Sequence, residues 1–352
     1  MITATPQSVA EGSGTYVARR TVSQGLRALG HEVRVVCPDR AAAPLGYTVH
    51  RFRFNRTLAA HTVDGADLVV GWDMDGYRLA GRVAARFAAY IHGQLADEAR
   101  FERGLVALSM RLQARAERHS VRNAAVVLTV SEYGRRRLAA VYGVPGDRVR
   151  VVPPAFDVDR WRHALATAPA ADDRDRPTVL CVARLYPRKD VATLIHAADR
   201  LRRQLPALRV RVVGDGPEGD RLRMLVRRLG LTACVELWGQ VEWERLVSAY
   251  ASCDIFCLPS RQEGFGIVFL EAMAAGRPIV ACRGTAAEEL VTHERDGLLV
   301  PQGDPEALAA GLHRLLTDHG LRRRAGEHGP ERVAAFAPEP IARRLLAAAT
   351  EP

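Results

Sequence analysis

The chain has almost no lysine. Of its 50 lysine and arginine residues only Lys189 is a lysine. Basic surface positions have drifted to arginine wherever either residue would serve. A surviving lysine is then a candidate for a site that needs a compact, strongly hydrated point charge instead of a planar fork. Apolar runs of bilayer-spanning length are also missing, as is a charged-then-apolar pattern at the N-terminus, and a cytoplasmic protein is expected. No pair among the six cysteines has zinc-like spacing, since Cys253 and Cys257 have no histidine partner nearby. They lie in apolar, strand-like surroundings, and buried reduced thiols are expected. Short repeats and low-complexity segments are absent.

What is present fits two globular domains. The 352 residues exceed one typical core, and the 48% hydrophobic fraction suits packed domains. A net charge of +10 favours acidic partners: nucleotides, nucleic acid or an anionic membrane face.

Strand and helix patterns alternate along the chain, which predicts an α/β fold with parallel sheets. In the first half, strands are expected at residues 1–5, 32–37, 49–52, 68–70, 88–91, 126–130 and 148–152. A helix ending near Leu29, stopped by Gly30, follows a loop with Gly12 and Gly14. That loop fits either a dinucleotide site, with Asp39 beyond the next strand, or a loop facing an anion or acceptor. His92 directly follows a strand, where ligands gather in open sheets, although a structural histidine fits the same place. Asp73 and Asp75 have the look of a metal-binding pair, but two acids near a strand end are common, and no metal site is assigned. A long helix is expected over residues 96–122, with Leu105, Leu108 and Leu112 on one face. An ordinary core stripe with a solvated basic face is the expectation there, and weak membrane-surface contact is the competing one.

Residues 166–177 combine small, charged and proline residues without periodicity and read as a linker. This divides the chain into a first domain (1–165), a second domain (178–335) and a final segment (336–352). In the second domain each strand-to-helix loop carries a glycine, a charge or both. Arg184 and Lys189 follow its first strand and could reach a diphosphate, one as a fork and the other as a point charge. Glu263-Gly264-Phe265-Gly266 turns into a helix bearing Glu271, a carboxylate able to accept from a ribose diol. A cationic pair and two acids match the parts of a sugar nucleotide: diphosphate, ribose and hexose.

These residues, with Gly214-Asp215-Gly216-Pro217, Leu258-Pro259-Ser260, Gly276-Arg277-Pro278 and Asp296-Gly297-Leu298-Leu299-Val300, resemble glycosyltransferase family 4. In the first half the likeness rests on Gly12-Ser13-Gly14, Ile91-His92-Gly93, Val130-Ser131-Glu132 and Val152-Pro153 with Asp157. It departs at the first loop, where Glu11 stands in place of a glycine. The resemblance implies a GT-B fold, with an acceptor-side Rossmann-like domain (1–165) and a donor Rossmann-like domain (178–335) facing across a cleft. It also implies a C-terminal helix (336–352) packing back on the first domain, and retaining transfer of a hexose-type sugar. The donor would be a UDP- or GDP-linked sugar acting as substrate, with no cofactor and no metal. The acceptor would be a hydroxyl of a small molecule, a glycan or a lipid carrier.

The resemblance also implies roles. Arg184 and Lys189 would neutralise the diphosphate, and Glu271 would hold the ribose. Glu263, with Gly264 and the amides of Phe265 and Gly266, would hold the donor sugar. His92 would lie beside the reacting sugar, Gly12 and Gly14 near the diphosphate and acceptor, and Gly239 beside the base. Rival functions are a nucleotide-sugar epimerase or phosphorylase on the same fold, a nicotinamide-dependent dehydrogenase using Gly12, Gly14 and Asp39, and a non-enzymatic basic binder of nucleic acid or lipid. The last leaves Glu263, Glu271 and His92 without purpose, so no nucleic-acid partner is expected.

Overall fold

A computed structural model describes residues 1–6, 14–39, 46–168 and 176–350. The chain forms two compact units, Met1–Phe156 with Phe336–Pro352, and Asp157–Ala335.

The first unit is built on a parallel sheet of β1 (Leu68–Trp72), β2 (Arg86–Ile91), β3 (Val126–Thr129) and β4 (Val149–Val151), in that order. Its strands are short, almost continuously apolar runs, as a sheet covered on both faces requires. Around it lie α1 (Gly14–Ala28), α2 (Tyr47–Thr57), α3 (Leu95–Glu98), α4 (Gly104–Asn123) and α5 (Glu132–Tyr142). Ile2 adds to the sheet through single bridges to Gly71 and Val36. Residues 32–37 therefore pair at one point only, and at this open edge their side chains stay at least partly exposed.

Two expectations fail here. Residues 49–52 are helical, inside α2, and not a strand. The buried residues of α2 are Arg51 and Asn55, one turn apart, and both bond to Asp75. Polar tertiary contacts at helical spacing override the β-branched and aromatic composition of the segment. The leucine stripe of α4 is likewise not core: Leu105, Leu108 and Leu112 are 82%, 53% and 42% exposed. The helix buries instead Ala107, Ala114, Ala116, Ser120 and Val121, with Gln113 and Glu117 turned into a polar interior. Gly104, at φ +57°, separates α3 from α4 within what read as one helix.

The second unit begins earlier than the 165/166 boundary expected. In α6 (Val158–Thr167), Trp161 meets Trp243 and Tyr250 edge to face at 4.8 and 5.4 Å, and this contact assigns the helix to the second unit. Most of the expected linker, residues 169–175, lies outside the described residues. Six parallel strands follow: β5 (Thr178–Val182), β6 (Arg209–Val213), β7 (Val235–Gly239), β8 (Ile255–Leu258), β9 (Ile279–Cys282) and β10 (Gly297–Val300). They alternate with α7 (Val191–Leu201), α8 (Gly219–Arg228), α9 (Trp243–Ser252), α10 (Ile267–Ala274), α11 (Ala287–Leu290) and α12 (Pro305–Thr317). Asp304 caps α12, accepting from the N–H groups of Glu306 and Ala307, with Pro305 in the first turn. Helices α13 (His319–Glu327) and α14 (Gly329–Arg332) complete the unit.

The spatial order β10-β9-β8-β5-β6-β7 is that of a doubly wound sheet. The direction of winding reverses between β5 and β8, and in open sheets of this kind ligands bind beyond the carboxyl ends of the strands at that point. The chain then returns to the first unit as α15 (Pro338–Thr350), packed on α1. A Cβ on Gly25 would stand 2.1 Å from the Pro338 carbonyl oxygen, so this crossing needs glycine. All six cysteines are free. Burial pushes the Cys181, Cys253 and Cys282 thiols up to about 12, which makes them inert packing groups.

Candidate functional site

The switch point of the second unit gathers most of the residues singled out in the sequence. Arg184 and Lys189 leave β5, and Glu263 through Glu271 leave its neighbour β8. Backbone bonds fasten these loops together. Arg261 N–H donates to the Arg188 carbonyl at 2.8 Å, and the Arg261 guanidinium reaches Asp190 at 2.9 Å. On the other side, Leu185 N–H donates to the Asp215 carbonyl at 3.0 Å. A Cβ on Gly214 would lie 2.0 Å from the Ala183 carbonyl oxygen, and one on Gly216 2.7 Å from the Leu185 nitrogen. The glycines of Gly214-Asp215-Gly216 thus let a second loop lie against the Arg184 loop. Gly239 joins the same assembly, its carbonyl accepting from Gly214 N–H at 2.8 Å.

At the centre Lys189 Nζ is ion-paired to Glu263 Oε2, both side chains nearly buried. Ser260 Oγ lies 3.4 Å from the same oxygen. Burial alone would raise the Glu263 carboxyl, but the Lys189 ammonium and the Arg188 guanidinium outweigh it, and the group is held below its ordinary value. Glu263 is therefore a carboxylate at neutral pH. Beside it Gln262 is 2% exposed, and neither its amide nitrogen nor its oxygen bonds to a protein group. A buried carboxamide in that state is costly unless a ligand completes it. Arg184 is exposed, its guanidinium 5.8 Å from the Tyr186 ring. Gly266, at φ +87°, turns the chain into α10, and a Cβ there would strike the Phe269 ring at 2.5 Å.

Glu271 sits on α10, where Tyr250 Oη donates to it at 2.7 Å. Burial raises its carboxyl to about 7, and the Tyr250 bond opposes that shift only in part. Tyr250 is held by its own ring contacts, stacked on Phe256 at 5.6 Å and packed edge to face by Trp161. Nothing in the sequence marks this tyrosine, because its role depends on helix α9 meeting α10.

His92, at the end of β2, belongs to the first unit, as does Gly14, the exposed first residue of α1. Gly12 lies outside the described residues. The His92 ring stacks on Trp72 at 4.4 Å, and neither ring nitrogen has a hydrogen-bond partner. Burial lowers its pKa to about 3, so the imidazole stays neutral. Asp73, at the end of β1, accepts from the His92 backbone N–H at 2.9 Å and places Oδ1 3.9 Å from His92 Nδ1. It holds a left-handed backbone, φ +54°, unusual outside glycine. Burial raises Asp73 to about 6 despite Arg51, whose guanidinium is 4.0 Å away. Asp75 is engaged otherwise, in a forked pair with Arg51 at 2.8 and 3.2 Å. The two aspartates thus serve different neighbours. Among the described residues no group of three His, Cys, Asp or Glu side chains is placed to hold a metal ion.

Two Rossmann-like units built on parallel sheets make up a GT-B fold. Residues 167–332 match the family described as glycosyl transferases group 1, and residues 11–160 match glycosyltransferase family 4. The GDP-mannose-dependent alpha-(1-6)-phosphatidylinositol monomannoside mannosyltransferase of Mycobacterium tuberculosis is 33% identical over 326 residues, 84% of this chain and 81% of that protein. The alpha-D-kanosaminyltransferase of Streptomyces kanamyceticus is 33% identical over 66% of this chain and 60% of its own length. Among solved structures, sucrose-phosphate synthase from Thermosynechococcus elongatus superposes with a TM-score of 0.78 at 24% identity, covering 96% of this chain and 94% of that one. The chain belongs to glycosyltransferase family 4, and it is a glycosyltransferase.

Proposed function

We propose that the protein moves a hexose-type sugar, with retention of configuration, from a nucleoside diphosphate sugar to an acceptor hydroxyl. The observation that carries this is the buried Lys189–Glu263 pair at the switch point, with Glu271 on the next helix. An ammonium has three donors and can bridge a carboxylate and a phosphate oxygen at once. Lys189 and Arg184 would then meet the diphosphate charge, Glu263 and the turn at Gly264, Phe265 and Gly266 the sugar hydroxyls, and Glu271 the ribose diol. Gly239 would flank the base, while His92 and the Gly12–Gly14 loop would serve the reacting sugar and the acceptor. The unpaired amide of Gln262 supports a polar ligand beside Glu263.

In the reaction the bond from the anomeric carbon to the diphosphate oxygen breaks, and its electron pair leaves on the diphosphate. The acceptor oxygen bonds to the same carbon from the same face through an oxocarbenium-like transition state, and its proton passes to the departing phosphate. Positive charge preorganised around the leaving oxygen is the main source of acceleration. His92, neutral from burial, contributes dipole and shape and no titrating proton.

GDP-mannose is the first donor to test, on the likeness to the mycobacterial mannosyltransferase. The acceptor is a small molecule, a glycan or a lipid carrier. Thermal shift against a panel of UDP- and GDP-sugars should select one donor, since a ligand that binds only the folded state raises its stability. Nucleotide should then be released only with acceptor present, in EDTA as well as in magnesium, and the product should keep the donor's anomeric configuration by NMR. A sugar nucleotide altered without acceptor, or an inverted product, overturns the reading. Turnover that EDTA abolishes and magnesium restores overturns the assignment of Arg184 and Lys189.

A further inference from the structure

We infer that the outer face of α4, with the start of α2, is a docking surface for an anionic lipid membrane. No helix among the described residues is long and apolar enough to cross a membrane, so the contact would be peripheral. Leu105, Leu108 and Leu112 are exposed and fall within an arc of about 60° on α4 at 3.6 residues per turn. Val106, at the same end, is 52% exposed. Arg111, Arg115, Arg118 and Arg122 are also exposed, and they occupy the adjoining arc, again about 60° wide. The one acid on the helix, Glu117, is fully buried, so nothing on its surface offsets the arginines. Beside α4, Gln113 ties the helix to Thr48 of α2 at 3.0 Å, and the exposed Tyr47 and Val49 flank that bond.

Three aliphatic side chains beside a row of guanidinium groups suit the boundary between acyl chains and headgroups. The leucines enter the apolar layer, and the arginines, with flexible stems, reach lipid phosphates. Exposed singly, such leucines would need no account, but a contiguous stripe does. A second copy of the chain fits less well. It would set a row of four arginines against its own like, with no exposed acid on the helix to answer it.

The inference goes beyond the transfer reaction and does not depend on which acceptor is used, because binding is read without turnover. The full chain is sedimented with phosphatidylglycerol–phosphatidylcholine vesicles and with phosphatidylcholine vesicles alone. Binding should favour the anionic vesicles and weaken with salt. Replacing Arg111, Arg115, Arg118 and Arg122 by glutamine should weaken it about fivefold per arginine removed. The variant Leu105→Ser, Leu108→Ser, Leu112→Ser should lower the partition by about tenfold or more. All seven positions are exposed, and sugar-nucleotide binding checks that each variant folds. Wild-type protein that ignores anionic vesicles, or variants that bind as it does, would overturn the inference. So would a dimer, seen by sedimentation velocity, that the leucine variant converts to monomer.

Discussion

Each unit holds a buried cation ion-paired to a carboxylate beyond the end of a strand, but the two arrangements are tuned in opposite directions. In the second unit the cation is Lys189, and it holds Glu263 ionised below the ordinary carboxylate range. In the first it is Arg51, whose fork is spent on Asp75, leaving Asp73 farther away and raised to about 6. A point charge on a flexible stem can turn toward an incoming phosphate, whereas a guanidinium locked in two bonds cannot. The ligand site we propose falls on the lysine pair, whereas the arginine pair is engaged within the fold. Asp73 lies between these roles, anchored to the His92 backbone yet short of its full charge partner.

Removing each cation tests that division, and the larger effect should fall on stability. Arg51→Ala strands Asp75 in the interior, and losing one partner of a buried pair costs about 3–5 kcal/mol. Hydrogen-exchange protection of the β1 amides should fall by the matching factor, with sugar-nucleotide binding by the second unit retained. If Arg51→Ala is as stable as wild type, the arginine cluster is not structural. Lys189→Ala should cost on the order of 3 kcal/mol of transition-state stabilisation, the loss expected for one preorganised charge donor. This variant also strands Glu263, so its folding is checked by circular dichroism, and transfer within a few-fold of wild type would erase the contrast.

A smaller effect concerns Glu271, raised to about 7 by burial. Its folded value lies above its unfolded one, so its contribution to stability is present at low pH and is lost as pH rises through about 7. Binding runs the other way, because a ribose diol donates to a carboxylate. Donor affinity should rise about tenfold between one pH unit below and one above that midpoint. In Glu271→Gln this rise should be flat in a calorimetric titration, and a rise that persists would assign it to another group.

The sequence revealed these two regions unequally, for a physical reason. Arg184, Lys189 and Glu263 stand on the strand-to-helix loops of the neighbouring strands β5 and β8, and Glu271 on the helix that follows, so local turn chemistry and spacing suffice to find them. The Arg51 cluster depends on α2 being a helix, and the run Val49-His50-Arg51-Phe52 has a strand's composition. As a helix it sets Arg51 and Asn55 one turn apart, where both bond to Asp75. The leucines of α4 misled for a related reason. An apolar stripe at helical spacing says that one face is apolar, not that the face is covered, and alanines with Gln113 and Glu117 took the inner position. Tyr250 left no trace because its partner belongs to a different helix.

Tyr250 also supplies the finest test of the ligand-facing side. Its hydroxyl donates to Glu271 and favours the carboxylate, so Tyr250→Phe should push the Glu271 titration above about 7. Near neutrality the variant should bind donor more weakly by about 1 kcal/mol, the usual worth of one hydrogen bond. At pH 9, where Glu271 is ionised in both proteins, the difference should shrink. A tyrosine that merely packs against Phe256 and Trp161 would instead weaken binding by the same factor at every pH. Parallel affinity curves for Tyr250→Phe and wild type from pH 6 to 9 would reduce Tyr250 to packing. They would also leave Glu271 tuned by burial alone.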